Sequence, residues 1–332
     1  MLTSSKYKEE EPLNIKRLFL PKKVLSIDIG TYETKVVEGK KTNEGLDINK
    51  SFSFLTPEGA YEDGYILENE LLHYVFKKEF NKNKLSSNTA YITIKSNSLI
   101  KKEIELPSVS HNEIKGILKY ETKEYLPVEI KDFIIQYKII NKVKNRDIEK
   151  LNVLLVAVPK KIVESHFIFL KDLGLKPTVL DLQLNSSSKL FKYNSVVNGE
   201  YNIENNTFAI IDLSYLSTDV TIIKNGDILL NENIPDSVQL SEEGLNRGTR
   251  NINNLIEKIS LIFQKYKTKH IKDQIEMIFL YGGFSNIEDI DLIFENSLNI
   301  PSVIVKSMDK IYLSEDLNKY VNCIGSIIRV EG

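Results

Sequence analysis

Three segments of this chain carry an apolar, strand-like run straight into a turn of glycine or small hydroxyl residues, which points to an α/β architecture with anion-facing turns at strand ends. The first, Val24-Leu-Ser-Ile-Asp-Ile29, breaks at Gly30 and resumes at Thr34-Lys-Val-Val-Glu38. The second, Phe208-Ala-Ile-Ile-Asp212, turns through Ser214, Tyr215 and Leu216 and resumes at Ser217-Thr-Asp-Val220. The third, Met277-Ile-Phe-Leu-Tyr281, runs into Gly282-Gly283-Phe284-Ser285.

The side chains at these turns suit one chemistry. Gly30 permits a tight hairpin whose N–H groups face an anion; Thr31 adds a hydroxyl, Tyr32 shares the turn, and Lys35 adds a cation. Asp28 ends its strand where a carboxylate can hold the water shell of Mg²⁺, and Asp212 repeats that position with Ser214 and Ser217 beside it. Gly282 and Gly283, ahead of Phe284, let a flat ring approach the backbone, and Ser285-x-x-Glu288 has the spacing of a helix cap. Read singly, the first segment favours an ordinary hairpin with an exposed lysine, and the alternative for the two aspartates is a turn-capping role.

Composition removes several classes. The charges nearly cancel, 44 Lys+Arg against 46 Asp+Glu, so no basic footprint for nucleic acid exists. A content of 42% hydrophobic and 27% charged residues supports a large core and excludes bulk disorder. A single cysteine, Cys323, excludes a disulfide framework and favours a reducing compartment, and the four histidines show no metal-ligand spacing. The polar N-terminus lacks the apolar core of a signal peptide, no run approaches the ~18 to 20 apolar residues of a membrane span, and the C-terminus has no amphipathic anchor. A membrane location is therefore expected only through a partner.

The expected organisation is a leader over 1–22, a first lobe over 23–102 and 177–205, an inserted module over 103–176, a second lobe over 206–320, and a last helix over 321–332. The module is marked by a change of texture. Ser110-x-x-Glu113 is a capping box, Ile114, Ile117, Leu118 and Tyr125 line one helical face, Pro127 stops that helix, and a further helix, Ile162 to Leu173, ends at Gly174.

In this order and at these separations, the three segments resemble the phosphate-1, phosphate-2 and adenosine motifs of the actin-like ATPase superfamily. Val179-Leu-Asp-Leu-Gln183 and Val321-Asn-Cys-Ile-Gly325 stand where that superfamily crosses between lobes. Arg17-Leu-Phe-Leu-Pro-Lys-Lys23, the Glu105-Leu-Pro107 to Tyr125-Leu-Pro127 stretch, Phe133-Ile-Ile-Gln-Tyr137, and the run from Leu154 to Pro177 are similar to the PilM family of type IV pilus assembly proteins. The resemblance implies an α/β actin-like ATPase fold, with two lobes around a nucleotide cleft and an FtsA-type inserted subdomain (1C). It also implies a cytoplasmic adaptor that binds ATP and Mg²⁺ and captures the N-terminal cytoplasmic peptide of the membrane protein PilN, with the pilus assembly ATPase as a further partner. Asp28 and Asp212 would meet the metal through water; Gly30, Thr31, Tyr32, Lys35, Asp212, Ser214, Ser217, Gly282, Gly283 and Phe284 would line the nucleotide. An FtsA-like filament protein and a small-molecule kinase of the same fold are the alternatives, with Asp181 and Asp219 as the other carboxylates near the cleft. The chain departs from the superfamily at Ser214-Tyr215-Leu216, where a glycine is usual, and this predicts a narrowed phosphate site and weak or absent hydrolysis.

Overall fold

The computed structural model describes residues 22–126, 129–145, 148–215, 217–235, 245–271, 273–315 and 317–329. The expected leader up to residue 21, Pro127 and Leu216 lie outside them.

Strands β1 (Val24–Ile29), β2 (Glu33–Lys41) and β3 (Leu46–Leu55) lead into the hairpin β4 (Tyr61–Glu62) and β5 (Tyr65–Ile66), helix α1 (Asn69–Asn83) and β6 (Thr89–Ile94). The module follows with β7 (Ile100–Pro107), α2 (His111–Tyr125), β8 (Phe133–Asn145) and β9 (Ile148–Pro159). Next come α3 (Lys160–Asp172), β10 (Lys176–Leu182), α4 (Gln183–Tyr193) and the hairpin β11 (Val196–Val197) and β12 (Tyr201–Asn202). The second lobe holds β13 (Thr207–Leu213), β14 (Ser217–Lys224), β15 (Asp227–Pro235), α5 (Leu245–Lys269), β16 (Met277–Tyr281), α6 (Ile290–Leu298) and β17 (Ser302–Ile304). The chain then returns through β18 (Ile311–Tyr312) and α7 (Val321–Ile327).

The first sheet runs β10-β6-β1-β2-β3-β18, the second β15-β14-β13-β16-β17, and the module sheet β7-β9-β8. The same local design appears in both lobes: β1 pairs antiparallel with β2 and parallel with β6, and β13 pairs antiparallel with β14 and parallel with β16. Alternation along β1 explains its burial on both faces. Leu25, Ile27 and Ile29 pack with Leu72 and Phe76 of α1 and Phe169 and Leu170 of α3. Ser26 and Asp28 face the other way, where Ser26 meets Ser326 of α7, Oγ to Oγ, at 2.7 Å.

Helices α4 and α7 wedge between the two sheets. Leu190, Phe191, Val321 and Ile324 join Val37 and Leu46 of the first sheet and Phe208, Ile210 and Phe279 of the second in one buried cluster. The two helices cross so closely at Gly325 and Ser186 that a Cβ on Gly325 would lie 2.5 Å from the Ser186 carbonyl carbon.

Two boundaries differ from the sequence expectation. Helix α3, assigned to the module, covers the first sheet, because Ile162, His166, Phe169 and Leu170 are its buried face. The module's own core, Ile104, Leu106, Ile114, Leu118, Leu151, Val153 and Leu155, stops at β9. Strand β18, assigned to the second lobe, pairs Ile311 with Leu46 at the edge of the first sheet. Periodicity identifies an apolar face but not the surface it covers. The capping box at α2 forms as expected, with Ser110 N donating to Glu113 Oε2 at 2.9 Å. The second expected cap does not form: α6 begins at Ile290, and Ser285 Oγ instead donates to Gly282 O at 2.8 Å.

Candidate functional site

The ends of β1, β6 and β10 in the first lobe and of β13 and β16 in the second converge on a cleft of about 330 Å³. Asp28, Gly30, Thr31, Tyr32, Lys35, Ser214, Ser217, Gly283 and Phe284 line it, as the sequence motifs predict. Asp212 and Gly282 stand behind that lining. Gly282 adopts φ +99°, and a Cβ there would lie 2.7 Å from Leu213 O, so contact between β13 and β16 is what requires this glycine. A Cβ on Gly283 would meet nothing nearer than Glu33 Oε2 at 3.7 Å, so space alone would admit a side chain there.

Charge at the floor of the cleft is balanced by direct neighbours. Asp28 and Lys35 are cross-strand partners on β1 and β2. Asp28 Oδ1 accepts hydrogen bonds from Thr93 Oγ1 at 2.9 Å and from Gln183 Nε2 at 2.6 Å, which fixes the carboxylate against rotation. Burial pulls the Lys35 ammonium down, but Asp28, Asp212 and Glu33 outweigh it and hold its pKa above the ordinary lysine value. Burial pushes the Asp212 carboxyl up, opposed by Lys95 and Lys35. Its oxygens accept from Ser214 Oγ at 2.8 Å and Asn322 Nδ2 at 3.2 Å.

Four residues that the sequence motifs missed complete this floor: Thr93, Lys95, Gln183 and Asn322. Lys95 directly follows the apolar strand β6 and forms an ion pair with Asp219 across the lobes. The strand-end position that singles out Asp28 and Asp212 also singles out Lys95; Asn322 carries no such signal. The two carboxylates considered as extra acids are both engaged. Asp219 Oδ1 also accepts from Asn233 at 3.0 Å, and Asp181 is held by Lys189 and Asn185.

The turns of β1–β2 and β13–β14 meet over the cleft. Tyr32 stacks on Tyr215 with centroids 4.7 Å apart, and Phe284 follows at 5.9 Å from Tyr215. Asp28, Glu33, Glu62 and Asp63 face the cleft against Lys35 and Lys95, an acidic excess that a polyphosphate alone would meet unfavourably and a divalent cation would relieve. Among the described residues no group of three His, Cys, Asp or Glu converges on a metal-sized point. Gln183 Oε1 is buried at the cleft wall with no protein hydrogen-bond partner, so a polar group remains for a ligand.

Two lobes closing on such a cleft, with paired hairpin turns and a pair of crossover helices, are the actin-like ATPase fold. The sequence model of the type IV pilus assembly protein PilM matches residues 26–233, and the chain belongs to that family. Solved structures agree on the fold. A PilM–PilN type IV pilus biogenesis complex superposes with a TM-score of 0.75 at 16% identity, covering 92% of this chain and 97% of that one. The ethanolamine utilization protein EutJ from Carboxydothermus hydrogenoformans gives 0.54 at 11% identity, covering 92% and 89%. A Bacteroides thetaiotaomicron protein with an actin-like ATPase fold and unknown function gives 0.50 at 12%, covering 96% and 99%. Among the described residues no helix is long and apolar enough to cross a membrane.

Proposed function

We propose that this pilus assembly protein is an ATP-binding adaptor that holds the N-terminal cytoplasmic segment of PilN and reaches the membrane through it. The observation that carries the nucleotide part is the Asp28–Lys35 pair at the floor of the cleft, with Asp28 oriented by Thr93 and Gln183. In this reading Asp28 holds Mg²⁺ through water, with Asp212 behind it. Lys35 and Thr31 meet phosphate oxygens, and the Gly283–Phe284 turn receives the base. Mg²⁺, when bound, supplies charge neutralisation for the phosphates; the chain's own residues orient them and limit water.

Asp28→Asn is expected to weaken Mg²⁺–ATP binding at least tenfold while changing metal-free ATP binding much less, because the lost charge acts through the cation. Titration calorimetry with and without EDTA measures both. Equal losses would remove Asp28 from the metal role.

The peptide part is supported by family membership and by an apolar junction between the module and the first lobe. There Val156, Leu180 and Leu182 lie half-buried around Ile94, Val158 and Ile162. An extended segment docking apolar side chains into such a junction is a common recognition mode. ATP closing the lobes would shift the affinity of that groove, a coupling of about 1 to 3 kcal/mol. Calorimetry of a synthetic PilN N-terminal peptide is expected to show tighter binding with ATP than without. Leu182→Asp is expected to cost at least tenfold. Equal affinity in both nucleotide states would remove the coupling, and unchanged affinity in the variant would move the groove elsewhere.

A further inference from the structure

The two turns that face each other over the cleft carry an aromatic pair that neither turn needs for its own geometry. Tyr32 and Tyr215 stack at 4.7 Å with 11° between ring planes. Both line the cleft, yet they keep 47% and 38% of their surface exposed, so core burial in either lobe does not account for them. The backbone beneath Tyr32 is anchored, since Thr56 N donates to Tyr32 O at 2.9 Å and Thr56 Oγ1 donates to Gly30 O at 2.7 Å. The opposite turn is anchored within its own lobe by Ser214 Oγ on Asp212 and by Phe284 N on Leu213 O at 3.0 Å. Each turn is thus held from below, and the two rings span the space between them.

We propose that Tyr32 and Tyr215 form a latch: in the ligand-free chain their stack holds the two phosphate-facing turns together, and a polyphosphate enters only after the rings part. An aromatic stack of this kind biases a closed form about two- to tenfold. The ion pair Lys95–Asp219 is a second link between the lobes, formed by side chains other than the two rings. The latch lowers the ligand's apparent affinity and entry rate by the fraction of time it stays shut. The nature of the ligand rests on the nucleotide reading above, while the latch itself is a property of the ligand-free protein.

The test uses the full chain with spin labels at Lys78→Cys on α1 and Leu261→Cys on α5, both exposed, with Cys323 buried and unlabelled. Pulsed electron resonance on ligand-free protein is expected to show a population of longer inter-lobe distances in Tyr215→Ser and in Tyr32→Ser, no larger in the double variant than in either single one. Tyr215→Phe, which keeps the ring, retains the original distribution. Stopped-flow binding of N-methylanthraniloyl-ATP with Mg²⁺ is expected to speed up two- to tenfold in the serine variants, again without addition in the double. Unchanged distances, additive effects, or slower entry in Tyr215→Ser would overturn the latch. If the distances shift but no chain binds the nucleotide, the latch stands and the nucleotide reading falls. If the nucleotide binds and the distances do not shift, the reverse holds.

Discussion

Gly325→Ala is expected to destabilise the protein by about 3 kcal/mol, among the larger effects open to a single methyl group. Gly325 lies on α7 where it crosses α4, and its Cβ would fall on the Ser186 carbonyl, a backbone group that cannot rotate away. Both helices are core elements: every residue of α7 is buried, and Ser186, Ser187 and Ser188 are buried on α4. Relief therefore requires the helices to separate, which opens the apolar cluster shared by both sheets. Urea denaturation measures the loss. Gly116→Ala on α2 supplies the contrast, since a Cβ there meets nothing within 4 Å and alanine is the better helix former, so about 1 kcal/mol of stabilisation is expected. An unchanged midpoint for Gly325→Ala would refute the close crossing.

Lys35→Met is expected to cost about 3 kcal/mol near neutral pH, because it leaves Asp28 and Asp212 buried without their shared cation. The loss carries a pH signature. In the native chain Lys35 is held above 10.5, so its contribution is complete below that value and disappears as pH rises through the folded pKa. Asp212 is already raised above 3.8 by burial, with Lys95 and Lys35 opposing, so removing Lys35 raises it further. A carboxyl whose folded pKa exceeds its unfolded one takes up its proton first in the native state. The variant therefore regains stability as pH falls through that folded value, and the gain levels off below 3.8. Urea midpoints of both chains at pH 7.5 and at an acid pH close to 3.8 test this. A deficit of equal size at both would show that the carboxylates are not its source.

Most of the framework was legible because local signals agreed with one another. Val24–Ile29 alternates cleanly between two buried faces, and Asn225-Gly226 takes the two positive φ angles of a tight hairpin, 52° and 77°. Gly174, at φ +79°, ends its helix as read. Site residues at strand ends were legible for the same reason. What escaped depends on distant chain coming together. Thr93 and Gln183 acquire their role only because β6 and α4 bring them to Asp28, and Asn322 because α7 brings it to Asp212. The two-residue strand β18 is too short for any period to register. Ser285 shows the opposite failure: a valid capping spacing was outcompeted when Asn318 Nδ2 and Gly282 O claimed its hydroxyl.

The placement of β18 and α7 has a consequence for how the chain is made. The first lobe begins to leave the ribosome with β1, yet its sheet edge waits for Ile311 and its inner face for Ser326, whose hydroxyl meets that of Ser26 across 300 positions of sequence. At about 5–20 residues per second, the nascent lobe spends on the order of 15 to 60 seconds with that face uncovered. The lobe synthesised first is therefore completed last, and this interval is when a chaperone or a premature partner would find an apolar surface to hold.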